Sequence, residues 1–355
     1  MGAPRKGRGA GLNPAGRFEA SQYETDPDVE PDLDPEAGEP PPPTELRPDH
    51  ARTIITYNDS PDLNFAASLN PYRGCEHGCV YCYARPTHEY VGLSAGLDFE
   101  RIIFAKHAAP ELLRAELAAT NWKPQPVAIS GVTDAYQPTE RTLEITRRCL
   151  QVFHDFRNPV GIVTKNALVT RDADILGEMA AIDTAAVMIS VTTLDAELAR
   201  KLEPRASAPH ARLRTIADLR AAGIPVGVLV APVIPGLNDH EIPAILSASA
   251  EAGAQFASYV MLRLPLGVAD LFEDWLRRHY PDRHARVMDR VRDMRGGQRN
   301  SAEFGERFRG SGPFAALVQR LFRQARERAG IPGRGPQLAT HHFRRHDPRQ
   351  PDLFG

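Results

Sequence analysis

The sequence predicts an α/β protein built as a partial or complete barrel of parallel strands. Two observations carry this prediction. Short apolar runs rich in β-branched residues alternate with longer amphipathic runs from about residue 127 to about residue 261. This alternation is typical of βα units, whose helices cover both faces of a parallel sheet. Polar residues also follow the ends of the apolar runs. In an α/β barrel, the loops at these strand ends line one face of the barrel. A doubly wound open sheet is the alternative architecture.

The apolar runs predict strands, and the amphipathic runs predict the helices between them. The predicted strands cover residues 127–130, 160–164, 185–191, 226–231 and 255–261. The predicted helices cover residues 139–156, 171–182, 209–222 and 239–252. Residues 68–69 close an earlier strand, so the chain holds about six βα units. That number predicts a partial (β/α)6 barrel.

Four segments are expected along the chain. Residues 1–50 become acidic and proline-rich after a short basic start. They hold too few apolar side chains to offset the entropy of ordering, so we expect a disordered tail. Residues 51–280 form the barrel core. Residues 281–335 form an arginine-rich helical extension with an amphipathic helix over 313–328. Residues 336–355 are polar, and we expect a flexible tail.

Composition excludes some classes of protein. A hydrophobic fraction of 42% with 25% charged residues is ordinary for a globular chain, so a sizeable core is expected. No run approaches the ~18 consecutive apolar residues of a membrane helix. The N-terminus also lacks the apolar centre of a secretory signal. We therefore expect a cytoplasmic protein without a membrane partner.

Three of the four cysteines lie close together in a C-x3-C-x2-C spacing: Cys75, Cys79 and Cys82. Three thiolates on one loop can bind three irons of a four-iron cluster and leave the fourth iron open to a ligand. A structural zinc loop with His77 or a distant residue as the fourth ligand is the alternative. Cys149 shares the apolar face of a predicted helix, so we expect it to pack in the core.

The cysteine spacing, with Tyr81 before the last cysteine, resembles the signature of the radical SAM superfamily. Further motifs are similar to the branch that includes spore photoproduct lyase and its uncharacterised bacterial relatives. These motifs are Leu69-Asn-Pro-Tyr-Arg-Gly-Cys75, Ser130-Gly-Val-Thr-Asp-Ala-Tyr-Gln-Pro138, Thr164-Lys165 and Ile234-Pro-Gly-Leu-Asn-Asp239. The likeness covers about residues 53 to 297.

The resemblance implies two cofactors. A 4Fe-4S cluster on Cys75, Cys79 and Cys82 would chelate the methionine part of S-adenosylmethionine at its open iron. One electron, delivered by an electron donor, would then cleave the sulfur–carbon bond and give methionine and a 5′-deoxyadenosyl radical. That radical abstracts a hydrogen atom from the substrate, and the protein orients the reactants and excludes side reactions.

The resemblance also implies cofactor-binding residues at the ends of three predicted strands. Thr133 and Asp134 end the first of these strands, Lys165 follows the second, and Ser190 lies near the end of the third. The Lys165 ammonium would pair with the methionine carboxylate in a charge-assisted hydrogen bond. The residues that act on the substrate stay unassigned.

The substrate is a separate question. The branch implies a lyase-like or modifying enzyme that acts on nucleic acid, in DNA repair or modification. A radical SAM enzyme for a peptide or small molecule, and a non-enzymatic iron–sulfur or zinc protein, are the alternatives. Spore photoproduct lyase uses a cysteine to return a hydrogen atom to the substrate radical. Gly131 occupies the corresponding position here, which argues against that route.

Two further features concern partners. Many arginines lie between residues 277 and 309, where they could contact phosphates or form a mixed-charge surface with the neighbouring acids. The end of the chain, Gln350-Pro-Asp-Leu-Phe354, resembles the short peptide that docks bacterial repair proteins on the sliding clamp. A tail peptide that fails to bind a purified clamp would exclude the second interpretation.

Overall fold

A curved sheet of seven strands forms the centre of the protein. The structure, a computed structural model, describes residues 7–18 and 43–345. The strands within these residues are β1 (Glu45–Pro48), β2 (Ile55–Tyr57), β3 (Ala67–Leu69), β4 (Tyr72–Arg73), β5 (Ile102–Ala105), β6 (Val127–Ile129), β7 (Val160–Thr164), β8 (Ala185–Ser190), β9 (Val226–Val233) and β10 (Phe256–Met261).

Helices connect and cover these strands. The α-helices are α1 (Leu97–Arg101), α2 (Ala109–Ala118), α3 (Glu140–Leu143), α4 (Ile145–Phe156), α5 (Ala173–Ala180), α6 (Ala196–Leu202), α7 (Pro209–Ala221), α8 (Ile242–Glu251), α9 (Val268–His279), α10 (Pro281–Asp293) and α11 (Gly312–Arg328). Short 3-10 helices cover Arg85–Val91, Ala167–Asp172 and Asp239–Glu241. Within the part of the chain that the structure describes, no helix is both long and apolar enough to cross a bilayer.

The central sheet has the strand order β10-β9-β8-β7-β6-β3-β2. The six strands β3 and β6 to β10 run parallel, and β2 pairs antiparallel with β3 at one edge. Seven of the eight residues of β9 are buried, as expected for a strand covered by helices on both faces. This arrangement confirms the predicted α/β fold with six parallel strands. The predicted strands begin and end within two residues of the observed ones.

One predicted helix is interrupted. The segment 139–156 divides into α3 and α4 at Glu144, whose φ of 49° lies in the left-handed region. The buried Glu140 carboxylate accepts hydrogen bonds from the Thr146 and Arg147 main-chain nitrogens at 3.0 and 3.3 Å. A carboxylate that caps the first turn of α4 satisfies donors left without intrahelical partners. Cys149 is fully buried on α4, which confirms its predicted core position.

The sheet stays open between its two ends, β10 and β2, which do not pair with each other in the described chain. A bridging segment, residues 304–309, covers this side of the molecule. The Met261 nitrogen donates to the Phe308 carbonyl at 2.9 Å. On the other side, the Gly305 nitrogen and the Arg307 Nε each donate to the Asp62 carboxylate at 2.7 Å. The segment therefore links the end of β10 to the loop after β2.

Two parts of the expected disordered tail over residues 1–50 contact the rest of the protein. Residues 45–48 form β1, which pairs parallel with β5 in a small sheet of order β1-β5-β4. Residues 7–18 lie against the cysteine loop, as described below. Both parts are held by hydrogen bonds to distant residues, which local composition does not reveal. The rest of the expected tail, residues 1–6 and 19–42, lies outside the described residues.

The first half of the expected flexible tail over residues 336–355 contacts the core. The Ala339 nitrogen donates to the Asp183 carbonyl at 2.8 Å, and the Arg344 nitrogen donates to the Phe156 carbonyl at 2.9 Å. The Phe343 ring also packs on Phe156, with ring centres 6.2 Å apart. Residues 346–355 lie outside the described residues, and with them the motif that resembles a clamp-binding peptide.

Candidate active site

The cysteine loop follows β4 at the carboxyl end of the sheet. Cys75 and Cys79 are buried, Cys82 is half-buried, and none of the three forms a disulfide. Gly78 has a φ of 67°, a left-handed conformation that favours glycine, and it lets the chain turn between the first two cysteines. Cys75 and Cys82 pack in one apolar cluster with Phe99. The loop therefore holds these thiols next to apolar side chains.

The three thiols influence one another. Burial raises the pKa of each of them. The pKa of Cys75 and that of Cys79 rise further because the Cys82 thiol lies near both. Two nearby side chains have opposite effects on the pKa of Cys79: the Glu203 carboxylate raises it further and the Lys165 ammonium lowers it. A ligand that binds these sulfurs must therefore displace protons. The loop is chemically suited to a positively charged metal centre.

Lys165, directly after β7, lies at the centre of a polar cluster. Its ammonium donates to the Ser190 hydroxyl at 2.6 Å and to the Thr192 hydroxyl at 3.2 Å. It also donates to the Ala231 carbonyl at 3.0 Å. The same nitrogen lies 5.8 Å from the centre of the Tyr81 ring, beside the last cysteine. The structure thus brings two predicted site residues, Lys165 and Ser190, into direct contact.

A buried carboxylate, Glu203, completes this cluster. It lies 3.1 Å from the Lys165 ammonium and forms a buried ion pair with Arg212. It also accepts hydrogen bonds from Tyr81 and, at 2.5 Å, from Thr192. Burial alone would raise the pKa of Glu203, but Arg212 and Lys165 hold that pKa well below its ordinary value. The carboxylate is therefore charged and balances one of the two cations.

Sequence reasoning missed Glu203. It lies just after α6, in a polar stretch that reads as an ordinary helix end. Its partner Tyr81 is 122 residues away, and Thr192, although only 11 residues away, lies on the other side of α6. Only the folded chain places it beside Lys165.

Asp134 connects two parts of the site. One of its carboxylate oxygens accepts from the Thr164 hydroxyl at 2.7 Å, and the other accepts from the Lys165 main-chain nitrogen at 2.8 Å. The second oxygen also lies 3.4 Å from Nδ1 of His77, inside the cysteine loop. Burial would raise the pKa of Asp134, but His77 and these hydrogen bonds lower it. Asp134 therefore holds the end of β7 against the cysteine loop.

Thr133 does not join the Lys165 cluster. Its hydroxyl donates to the Tyr72 carbonyl at 3.2 Å, on the strand that leads into the cysteine loop. Its main-chain nitrogen and that of Val132 donate to the Asn70 side chain at 3.3 and 2.8 Å. Asn70 was not singled out from the sequence, although it lies in the motif before the cysteines. Thr133 and Asn70 together join the end of β6 to the cysteine loop.

Gly131 follows β6 next to these residues. Its carbonyl accepts a hydrogen bond from the Tyr83 hydroxyl, and Tyr83 comes directly after the last cysteine. A Cβ atom built on Gly131 would meet its nearest neighbour, Cβ of Ser68, at 3.7 Å. That is ordinary van der Waals contact. Packing therefore does not forbid a side chain at this position, and the chain carries none.

An N-terminal strap, residues 7–18, lies across the cysteine loop. The main-chain nitrogens of Gly9 and Ala10 donate to the Glu100 carboxylate at 3.0 and 2.8 Å. A Cβ atom on Gly9 would lie 1.8 Å from the Gly78 carbonyl oxygen, so the strap and the loop touch through main chain. The Arg8 guanidinium donates to the Glu100 carbonyl at 2.6 Å. The strap closes one side of the thiol pocket.

Glu100 ties the strap to the loop through Arg85. The Arg85 guanidinium forms a fully buried ion pair with the Glu100 carboxylate. Its Nε and Nη2 atoms also donate to the Cys79 carbonyl at 3.0 and 2.8 Å. Removal of either partner would leave a buried charge unpaired, and an unpaired buried charge strongly destabilises the folded protein. The strap, Glu100, Arg85 and the cysteine loop thus form one continuous network.

Comparison with known sequences identifies the family. Residues 69–248, half of the chain, match the radical SAM superfamily. An uncharacterised protein of Mycobacterium tuberculosis is 35% identical over 234 residues, which cover 65% of this chain and 68% of the relative. An uncharacterised protein of Methanocaldococcus jannaschii is 25% identical over 223 residues, which cover 63% of this chain and 80% of the relative.

Solved structures with the same fold include spore photoproduct lyase. Its complex with dinucleoside spore photoproduct aligns with a TM-score of 0.57 and 14% identity over 80% of this chain and 79% of the lyase. A variant of the lyase with bound AdoMet (S-adenosylmethionine) and dinucleoside spore photoproduct aligns with a TM-score of 0.58 at the same identity and coverage. At this identity the likeness shows a common fold.

Replacement of Glu203 tests the buried charge balance. A Glu203→Gln variant leaves Lys165 and Arg212 without their counter-ion, so the free energy of unfolding should fall by about 3–5 kcal/mol. Urea denaturation at neutral pH measures this loss. Glu197→Gln is the matched control, because Glu197 pairs with Lys201 at the exposed surface and its replacement should leave stability nearly unchanged. Equal losses in the two variants would contradict the account.

The same carboxylate predicts a pH dependence. Because its pKa is lowered in the folded protein, its stabilisation is present above the unfolded pKa of about 4.3. That contribution is lost as the pH falls toward the folded value. Wild type should therefore lose more stability than Glu203→Gln as the pH falls from about 4.3 to about 2, and urea denaturation across this range measures the difference.

Replacement of Gly9 tests the strap. A Gly9→Ala side chain would clash with the Gly78 carbonyl and open the strap, so the loop thiols should become alkylated about tenfold faster. The measurement is the rate of alkylation of each cysteine in protein freed of metal. Cys149, buried in the core, serves as the internal control. Gly161→Ala is the matched variant, because no atom lies within 4 Å of its added Cβ. Unchanged alkylation in Gly9→Ala would show that the strap does not cover the thiols.

Proposed function

Because the chain belongs to the radical SAM superfamily, a superfamily of enzymes, we propose that it cleaves S-adenosylmethionine reductively to initiate a radical reaction on nucleic acid. The observation that carries the proposal is the position of the Lys165 cluster. Three free thiols lie close to an ammonium held by buried polar groups, at the carboxyl ends of parallel strands. Ligand sites of α/β barrels lie at this end.

The donor set fits a four-iron cluster. Each iron of such a cluster takes one thiolate, so Cys75, Cys79 and Cys82 would hold three irons and leave one open. In the described part of the chain, no three His, Cys, Asp or Glu side chains surround the position of a single metal ion. Bound there, the cluster would supply the electron that cleaves S-adenosylmethionine, so the protein needs an electron donor as a partner.

The Lys165 cluster fits the methionine part of S-adenosylmethionine. Lys165 and Arg212 carry two positive charges and Glu203 carries one negative charge, so the group keeps one positive charge. A carboxylate that reaches the Lys165 ammonium would satisfy this charge through a short, charge-assisted hydrogen bond. The Ser190 hydroxyl, 2.6 Å from the Lys165 ammonium, would keep that ammonium oriented toward the carboxylate. Arg212 donates to the Ser190 carbonyl at 3.0 Å and keeps that strand end in place.

Thr133 and Asp134 stay predicted cofactor-binding residues. Their hydrogen bonds in the structure support a positioning role, because Asp134 holds the Lys165 main chain and Thr133 holds the strand before the cysteines. We infer that they fix the distance between the cluster loop and the Lys165 ammonium. In that role they would act on cofactor geometry without touching the reacting bond.

Nucleic acid is the proposed substrate class. The chain shares its fold with spore photoproduct lyase, whose structures hold a dinucleoside photoproduct. A shared fold does not transfer a substrate by itself, so the proposal needs support from this chain's own surface. Gly131 has no thiol that could return a hydrogen atom to a substrate radical. The proposed reaction is therefore repair or modification of nucleic acid by another route.

The proposal predicts formation of 5′-deoxyadenosine. Protein reconstituted anaerobically with iron and sulfide, then given dithionite and S-adenosylmethionine, should form it. Cys79→Ala should form none, because one cluster ligand is lost. Lys165→Ala should bind S-adenosylmethionine about 10- to 100-fold more weakly, since a hydrogen bond to a charged group contributes ~1.5–3 kcal/mol.

Lys201→Ala is the control for Lys165, because Lys201 pairs with Glu197 at the surface. Two outcomes would contradict the proposal: equal product from Cys79→Ala, or no product from wild type with an intact cluster in the presence of single-stranded DNA and RNA.

A further inference from the structure

An alternating stack of aromatic rings and guanidinium groups begins beside the cysteine loop. The Arg263 guanidinium lies 5.0 Å from the centre of the Tyr83 ring and 4.7 Å from that of the Phe308 ring. The Arg307 guanidinium lies 4.9 Å from the Phe308 ring centre and 4.7 Å from that of Phe304. These five residues form a continuous aromatic–arginine ladder.

The ladder starts at the proposed active site. Tyr83 follows the third cysteine, and its hydroxyl donates to the Gly131 carbonyl at the end of β6. Arg263 comes two residues after β10, and the Phe308 carbonyl accepts from the last residue of that strand, Met261. β6 and β10 are not neighbours in the sheet. The ladder therefore crosses the open side of the barrel along the bridging segment, residues 304–309.

Arg263 is the unusual member of the ladder. It is half-buried, and burial lowers its pKa. Within the described residues its guanidinium has no hydrogen-bond acceptor and no carboxylate at ion-pair distance, and its Nε atom is fully buried. Arg307, by contrast, pairs with Asp62. The terminal nitrogens of Arg263 are not buried and have no acceptor within the described residues, so a ligand acceptor could pair with them without breaking an existing hydrogen bond.

The arginine-rich segment after residue 276 does not offer the same opportunity. Five of its arginines pair with acids, in the contacts Arg277–Glu273, Arg278–Asp274, Arg290–Asp239, Arg292–Asp289 and Arg299–Asp270. The Arg295 guanidinium donates to two main-chain carbonyls. This segment therefore has the mixed-charge character that the sequence left open. Arg263 differs because it is half-buried between two rings and has no hydrogen-bond acceptor within the described residues.

Both ends of the ladder are open to ligands. Tyr83 is 45% exposed and Phe304 is 58% exposed. Val132 and Leu266, two exposed apolar side chains, come just after β6 and β10. Exposed rings beside guanidinium groups are the surface on which unstacked nucleobases stack, with little dependence on sequence. A guanidinium edge can also donate to a base or a phosphate.

We propose that the aromatic–arginine ladder binds unstacked bases of single-stranded nucleic acid and leads one of them to the active site. The inference rests on the proposed function, because the ladder begins at the cysteine loop. A base stacked on Phe304 would lie at the outer end, and a base near Tyr83 would lie next to Gly131. The free donors of Arg263 lie between these two positions.

The test is binding of a fluorescent single-stranded oligonucleotide to the anaerobic holoenzyme, followed by anisotropy. Arg263→Ala and Phe304→Ala should each weaken binding about 5- to 100-fold, the loss expected for one stacked base. Arg263→Lys keeps the charge but loses the planar stack, so it should weaken binding nearly as much. Arg277→Ala removes the same charge elsewhere and Tyr57→Ala removes another exposed ring, 63% exposed; neither should change binding.

Several outcomes would overturn the ladder. Equal weakening by Arg263→Ala and Arg277→Ala would show that net charge alone binds the oligonucleotide. Full binding by Arg263→Lys and Phe304→Ala would show that the ladder is only a packing feature. Preference for an aromatic-rich peptide over the oligonucleotide would assign the surface to a peptide. If wild type binds no oligonucleotide but still forms 5′-deoxyadenosine, the ladder proposal fails while the radical chemistry stands.

Discussion

The site depends on one buried carboxylate. Glu203 lies between two cations, Lys165 and Arg212, which would otherwise repel each other in a buried pocket. It neutralises one charge and leaves the other for a ligand. Through Tyr81 it also touches the cysteine loop. The strand ends, the loop and the ammonium can share one pocket because this carboxylate stays ionised at their centre.

A second feature of the structure is that two segments enclose the candidate site. A reactive radical requires a site from which water and mobile groups are kept away. The strap reaches the cysteine loop through Gly9 and Glu100, and the bridging segment, residues 304–309, reaches the end of β10 through Phe308. These two pieces come from opposite ends of the chain. Each covers a side that the six parallel strands leave open.

The sequence predicted the parts that depend on local pattern. Strand β7 was predicted without error, because an apolar β-branched run specifies a buried strand. The contact between Lys165 and Ser190 follows because both end neighbouring parallel strands. The strap was missed because Gly9 and Glu100 are 91 residues apart. The strap also lacks a periodic pattern of apolar residues from which an ordered segment could be predicted. Glu203 and the ladder were missed for the same reason, since their partners meet only in the folded chain.

The central claim is that the three thiols hold a cluster whose open iron accepts S-adenosylmethionine placed by Lys165. The most direct measurement is electron paramagnetic resonance of the reduced, reconstituted protein, with and without S-adenosylmethionine labelled at its amino nitrogen. The account predicts a four-iron signal that changes on addition and shows coupling to the labelled nitrogen. A signal that is unchanged by saturating S-adenosylmethionine, or a native protein that carries zinc in place of iron, would contradict it.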